Sequence, residues 1–231
     1  MNVAIVVAAG KGTRLGGNQP KQFLELRGIP VIIHTLRQFE RCAEISEVIV
    51  VVPAAETAAF SSQAEKFEIR KLSRVVRGGA TRAQSVRRGL NAIDSAEIVA
   101  VHDGVRPFVT PDEIDRVVQA AKTSGAAILV APVADTIKEV GNGTVLRTIP
   151  RAGLRRALTP QCFRFDLLKR AYDQLDEVEG AGIAVTDDSF LVERLGAEII
   201  AVDGNARNIK ITREEDLILA EAILSSLTTD N

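Results

Sequence analysis

The sequence contains no tryptophan, one tyrosine, one methionine, two cysteines and two histidines, and only 4% of its 231 residues are aromatic. Cys42 and Cys162 lie far apart with no CxxC pair, and His34 and His102 add too little for a zinc site. A reducing, cytoplasmic setting follows from that usage. Charge of one sign is also missing, since 29 basic and 30 acidic side chains leave a formal net charge of −1. That balance excludes a global basic field for nucleic acid or an anionic membrane, so any polyanion site must be local. No apolar run approaches the roughly 18 residues that a spanning helix needs; the longest candidates are Val48–Ala55 and Ala126–Ala134. The apolar stretch Val3–Ala9 has no Lys or Arg before it and runs into the basic segment Lys11–Arg14, so it reads as a buried first strand and not as a signal-peptide core.

What remains is 46% hydrophobic and 26% charged, enough to bury a sizeable core in one domain spanning 1–231. Short β-branched runs alternate with helical stretches. Val3–Ala8, Val48–Val52, Leu72–Arg77, Ile98–Val101, Ala127–Ala131 and Glu198–Val202 read as strands. Pro30–Arg41, Ala54–Phe67, Thr81–Ile93, Pro111–Ser124, Leu167–Leu175, Asp187–Leu195 and Arg213–Leu227 read as helices. The alternation predicts an α/β fold, a Rossmann-like, mostly parallel sheet with helices on both faces. Thr110 with Glu113 and Thr212 with Glu215 have the spacing of capping boxes, the first with Pro111 at the first helical position. After Pro132 the rhythm breaks: Ile137–Val140 and Thr144–Ile149 flank Gly141-Asn142-Gly143, which suits a tight hairpin turn. A two-stranded ribbon is marginal alone. This arm, about 134–153, is therefore expected to pack on a second subunit in a homodimer.

The first strand ends in Ala8-Ala9-Gly10-Lys11-Gly12-Thr13-Arg14-Leu15-Gly16-Gly17, followed by Asn18-Gln19-Pro20-Lys21-Gln22-Phe23. Small residues let backbone amides approach a ligand, and Lys11, Arg14 and Lys21 all precede the first acid, Glu25. This composition suits a phosphate cradle at a strand's carboxyl end. It is neither a Walker A loop, for no Gly-Lys is followed by Ser or Thr at the right spacing, nor a dinucleotide fingerprint, for the sixth position from Gly10 is Leu15. The broken fingerprint argues against a nicotinamide-dependent oxidoreductase.

That loop resembles the signature of nucleotidyltransferases that join a nucleoside monophosphate to a sugar or polyol phosphate. More narrowly, the chain is similar to the 2-C-methyl-D-erythritol 4-phosphate cytidylyltransferases. Further matches run in family order through Gly78-Gly79-Ala80-Thr81-Arg82-Ala83-Gln84-Ser85-Val86, His102-Asp103-Gly104-Val105-Arg106-Pro107-Phe108, Ala131-Pro132-Val133-Ala134-Asp135-Thr136, Leu158-Thr159-Pro160-Gln161, Thr186-Asp187-Asp188 and Asn208-Ile209-Lys210. The resemblance covers essentially the whole chain. It implies transfer of CMP from CTP to methylerythritol phosphate in isoprenoid precursor synthesis, with Mg²⁺ or another divalent cation. A ribitol 5-phosphate cytidylyltransferase is the nearest alternative, disfavoured because the loop begins Ala8-Ala9-Gly10 where such relatives more often have a second glycine. A nucleotide sensor without turnover would not need so many cations.

The resemblance also assigns roles. Arg14 and Lys21 would stabilise charge at the α-phosphate. Amides around Ala8, Ala9 and Gly10 would hold the nucleotide, and Gly79, Ala80 and Ser85 would meet the base largely through backbone groups. Asp103, ending a strand before a glycine, would meet Mg²⁺ on the triphosphate or a substrate hydroxyl. Arg106 is expected near substrate hydroxyls or phosphate. Thr136, Arg151, Thr186 and Lys210 would form the polyol-phosphate site, with Arg151 and Lys210 on the attacking phosphate. If the arm crosses a dimer as in the family, Thr136 and Arg151 serve the partner's site. Ile149-Pro150-Arg151 stands where the family often has Val-Asp-Arg. Cys162 reads as an inert thiol, and His102 as a packing residue.

Overall fold

The computed structural model describes residues 1–10 and 20–229, apart from the side chains of 228 and 229. Val3–Val7 forms β1, followed by a 3-10 turn at Lys21–Phe23 and the short pair β2 (Glu25–Leu26) and β3 (Ile29–Pro30). Then come α1 (Val31–Arg41), β4 (Glu47–Val52), α2 (Thr57–Lys66), β5 (Leu72–Arg77), α3 (Arg82–Leu90), β6 (Ile98–Asp103), α4 (Pro111–Ser124) and β7 (Ala126–Pro132). The arm is β8 (Ile137–Gly141) and β9 (Thr144–Ile149). The chain ends with β10 (Arg155–Arg164), α5 (Phe165–Asp173), α6 (Leu175–Gly180), α7 (Asp188–Glu193), β11 (Ile200–Asp203) and α8 (Glu214–Thr229).

Among the described residues the main sheet has seven strands in the order β11-β7-β10-β6-β1-β4-β5. All pairings are parallel except those of β10, which runs antiparallel between β6 and β7. Successive β1 side chains divide between the faces. Ala4 and Val6 join a core with Ile32, Leu36 and Phe39 of α1 and Val117 of α4, whereas Val3, Ile5 and Val7 pack with Val86 of α3, Leu168 of α5 and Leu191 of α7. This period of two is what buries a strand between two helical layers. The expected α/β architecture is therefore the observed one.

Several boundaries differ from expectation for identifiable reasons. Strand β10 was not expected because its sequence opens on Arg155-Arg156 and contains Pro160, which cannot donate to a ladder. The sheet accommodates it where the β7–β10 register shifts between Ala157 and Gln161. The β2–β3 pair and α6 are too short to show periodicity. Thr81 and Asp187 are caps outside α3 and α7, their side chains accepting from the amides of Gln84 and Phe190. The Thr110–Glu113 capping box is present. Glu215, however, does not close a box on Thr212. Because α8 starts at Glu214, it is Asp216 that accepts from the amides of Thr212 and Arg213 at 2.7 and 2.8 Å.

The arm forms a separate two-stranded sheet with Ile137 opposite Ile149 and Gly141 opposite Thr144. Asn142 and Gly143 both have positive φ, 51° and 77°, as a two-residue hairpin turn requires. Val140, Val145 and Leu146 on it are exposed.

Thr110→Ala removes the cap of α4, whose Oγ1 accepts from the Glu113 amide at 3.2 Å. It should cost about 1 kcal/mol, and a midpoint in urea identical to that of the parent would refute this.

Candidate active site

The sheet brings three strand ends to one level. Val7 lies beside Asp103 on one side and Val51 on the other, and the amides of Ala8, Gly78 and Gly104 continue the ladder to the carbonyls of Val51, Val52 and Val7 at 2.7, 2.8 and 2.8 Å. The segments leaving β1, β5 and β6 are thereby pressed together. A Cβ on Gly78 would lie 2.1 Å from that of Ala9, and one on Gly104 3.0 Å from that of Ala8. Glycine is needed at these positions for close approach of backbone to backbone. A cavity of about 390 Å³ opens there, lined by Ala8, Ala9, Gly10, Lys21, Gln22, Gly79, Ala80, Thr81, Arg82, Ser85, Asp103 and Lys210 among others.

Asp103 is its electrostatic centre. The residue is buried, and Arg82 Nε donates to Oδ1 at 2.9 Å while Lys210 Nζ and Arg106 Nε reach Oδ2 at 2.9 and 3.4 Å. Burial alone would raise its pKa, but Arg82, Lys210 and Arg106 outweigh that and hold the carboxyl well below the usual range. Arg82 also donates to Asp188 at 2.9 Å. Burial would weaken its hold on a proton, yet Asp188 and Asp103 keep it well above the ordinary arginine range. Burial lowers the Arg106 pKa, against the pull of Asp103. Three cations facing two carboxylates leave an excess of positive charge, which suits a polyanionic ligand.

Behind Asp103 the hydrogen-bond accounting fixes a histidine. Thr159 Oγ1 accepts from the Asp103 amide at 3.2 Å and lies 3.0 Å from His102 Nδ1. The Arg106 carbonyl can only accept, so Nε2–H donates to it at 3.1 Å, and Nδ1 of the neutral ring then accepts the Thr159 hydroxyl proton. Burial lowers the ring's pKa to about 3. His102 is a neutral packing residue, as the sequence suggested, and sits edge-on to Phe39 with ring centroids 5.0 Å apart.

The nucleotide-side residues line the cavity, with some expected donors already engaged. Of the three amides expected to cradle a nucleotide, that of Ala8 is already engaged in the ladder. Gly79 N donates to Ser85 Oγ at 3.0 Å and Ala80 N to Gln84 Oε1 at 3.2 Å. Ser85 in turn donates to the Thr81 carbonyl at 2.9 Å. Side chains of α3 thus satisfy both amides and stiffen the turn, and all three residues line the cavity. Gln22, fully inside, donates to the Gly10 carbonyl at 3.2 Å and ties the signature loop's first residue to its exit. Arg14 and Lys11 lie outside the described residues.

Of the residues expected at the acceptor, Lys210 and Arg106 converge on Asp103 as described, and of these two Lys210 lines the cavity. Among the described residues, Thr136, Arg151 and Thr186 do not line the cavity. All three are exposed, with Arg151 donating to the Ala134 carbonyl across the base of the arm. Thr186 stands just ahead of the Asp187 cap of α7. Arg82 lies in the Gly78–Val86 motif, and the sequence assigns it no role. The one local signal was a cation at the first position of a helix, where the dipole disfavours it unless an acid is near.

Asp103 does not fit the expected metal role in this arrangement, because both its oxygens already receive cationic donors. Among the described residues no three His, Cys, Asp or Glu side chains gather to hold an ion.

A mostly parallel α/β sheet with cations converging at its strand ends is a setting in which nucleotides are commonly bound. The family model described as 2-C-methyl-D-erythritol 4-phosphate cytidylyltransferase matches residues 2–226, and the chain belongs to that family. It is 44% identical over 225 residues to a relative of that name from Bacillus velezensis, covering 97% of this chain and 96% of the relative. A Geobacillus kaustophilus relative of the same name is 44% identical over 223 residues, 96% of each. Among solved structures, a 4-diphosphocytidyl-2C-methyl-D-erythritol synthase from Anaerococcus prevotii superposes with a TM-score of 0.85 at 33% identity, covering 97% of this chain and 96% of that one. The Thermus thermophilus cytidylyltransferase gives 0.78 at 34%, covering 97% and 100%.

The folded ring of His102, at about 3, binds its proton far below the roughly 6.5 of an unfolded histidine. Between those values only the unfolded chain is protonated, so this group withdraws stability as pH falls from about 6.5 towards 3, by at most about 1.4 kcal/mol per pH unit. Ring ¹⁵N shifts should stay those of the neutral Nε2–H tautomer at pH 5, and a titration centred near 6.5 would contradict the assignment.

Proposed function

We propose that this cavity transfers CMP from CTP to 2-C-methyl-D-erythritol 4-phosphate. A phosphate oxygen of the acceptor attacks the α-phosphorus, the α–β phosphoanhydride bond breaks, and CDP-methylerythritol and pyrophosphate leave. The observation that carries this reading is the cavity at the ends of β1 and β6 with its excess of cations around Asp103. Joining two polyanions in line requires positioning and charge neutralisation more than proton transfer, and His102, which precedes Asp103 in the chain, is neutral and internally bonded. Family membership does not favour the ribitol phosphate alternative.

In this reading Arg14 and Lys21 neutralise the α-phosphate, Ala9 and Gly10 cradle the nucleotide, and Gly79, Ala80 and Ser85 shape the base pocket. Lys210 and Arg106 face the acceptor, with Thr186 at the edge of its site. The divalent cation of the reaction arrives on the triphosphate and is not resident on Asp103. The chain works as one unit over 1–231, with the arm as a subdomain. No helix among the described residues is long and apolar enough to cross a membrane, and buried free Cys42 and Cys162 suit a reducing cytoplasm.

Thr136 and Arg151 act across a homodimer. Their separation from the cavity and the exposed Val140, Val145 and Leu146 of the arm support this arrangement.

Pyrophosphate release with CTP and Mg²⁺ should be much the fastest with methylerythritol phosphate, compared with ribitol 5-phosphate and with no acceptor, and Lys21→Ala should lower it by about 10²-fold or more. Preference for ribitol phosphate, or near-normal turnover by folded Lys21→Ala, would sink the corresponding claim. Equal mixing of Lys21→Ala with Arg151→Ala should restore activity at up to about a quarter of the sites if each site draws on both subunits. No recovery after verified subunit exchange would place Arg151 in its own subunit's site or in none.

A further inference from the structure

Arg82 opens α3 and is bound from two directions. Nε meets Asp103 Oδ1 and Nη2 meets Asp188 Oδ2, each at 2.9 Å. Asp188 is fully buried; its Oδ1 accepts from the Tyr172 hydroxyl, and its amide donates to Gln161 Oε1 at 3.0 Å. Burial and the neighbouring Asp188 push the Tyr172 phenol well above its ordinary pKa, so it remains a donor. Charged groups buried at this depth persist only when each is paired and held in good geometry.

We propose that Arg82 is a positioning residue for the transfer reaction: anchored on Asp188 and Tyr172, it occupies one oxygen of Asp103 and so reserves the other for Lys210. The inference rests on the reading of Lys210 as a ligand of the acceptor phosphate. A carboxylate offers two oxygens, and its orientation is set by what each one accepts. With Oδ1 held by a rigid guanidinium, Lys210 and Arg106 both lie on the Oδ2 side, at 2.9 and 3.4 Å. Were Oδ1 vacated, the carboxylate would turn and take both cations into a closer cluster, drawing the Lys210 ammonium off the acceptor. Asp103 and Asp188 would also lose the cation between them. Lysine cannot replace the arginine, because a single ammonium on a flexible stem does not present two separated donors in a fixed plane.

The test uses the full-length enzyme with CTP saturating and methylerythritol phosphate varied, and measures CTP affinity separately by calorimetry without acceptor. Arg82→Lys should lower kcat/KM for the acceptor by about 10- to 100-fold, while the Kd for CTP moves by less than about threefold. Tyr172→Phe should shift the same parameters in the same direction by a smaller factor, and the double variant should lose less than the product of the two singles, because both act through one chain of contacts. Acceptor kinetics within twofold of the parent in folded Arg82→Lys would overturn the proposal. So would equal losses in CTP affinity and acceptor kcat/KM, the signature of a brace for the whole site. Should Arg82→Lys not accumulate as folded protein, Tyr172→Phe decides by the same two criteria. Lys210→Met run alongside separates the layers: unchanged acceptor kinetics there would overturn the Lys210 assignment and this inference with it, whereas a loss there with none in Arg82→Lys overturns this inference alone.

Discussion

A carboxylate taken out of water is the constraint on which the site depends. Asp103 stands at the end of a central strand, 6% exposed, and an unpaired ion there would cost several kcal/mol. Its partners come from separate parts of the chain: Arg82 from the start of α3, Arg106 from the turn after β6, and Lys210 from the segment after β11. Satisfying one charge therefore draws three segments together, and two of the residues that neutralise Asp103, Arg82 and Lys210, line the cavity. Folding and site assembly share one requirement.

The two halves of the cavity are built on different principles. The side formed by the ends of β1 and β5 is largely backbone, its turn stiffened by Ser85 and Gln84 and Gly10 held by Gln22. The other side is made of long cationic side chains oriented by the Asp103 carboxylate. Strand β10 makes that second half possible. Thr159 takes the Asp103 amide, Gln161 takes the amides of Asp188 and Ser189, and Asn208 donates to the Thr159 carbonyl. A single antiparallel strand thus connects the end of β6 to α7 and to the segment bearing Lys210.

The alternation of β-branched runs with helical stretches made most of the sheet and its covering helices legible, because period two and period 3.6 leave distinct marks on composition. Strand β10 escaped because exposed arginines begin it and a proline interrupts it, features of an edge or a loop in any reading by pattern. Asp103, Arg106 and Lys210 were legible through motif order. Arg82 was not, since its partners Asp103 and Asp188 stand 21 and 106 positions away and one sequence carries no sign of such pairing. The competition of Ser85 and Gln84 for the turn amides is local, and side chains of this kind placed a few residues after a turn could have signalled it.

Strands β7 and β10 are neighbours in the sheet, with Pro132 opposite Arg155, so the chain leaves and re-enters at a single point of the fold. Everything between is a detour from what would otherwise be an ordinary hairpin. Loop closure grows only logarithmically with length, so the detour is free to lengthen or shorten without moving a strand of the main sheet. The reach of the arm is thus an adjustable dimension of this architecture, a ruler set into a frame that does not register its length.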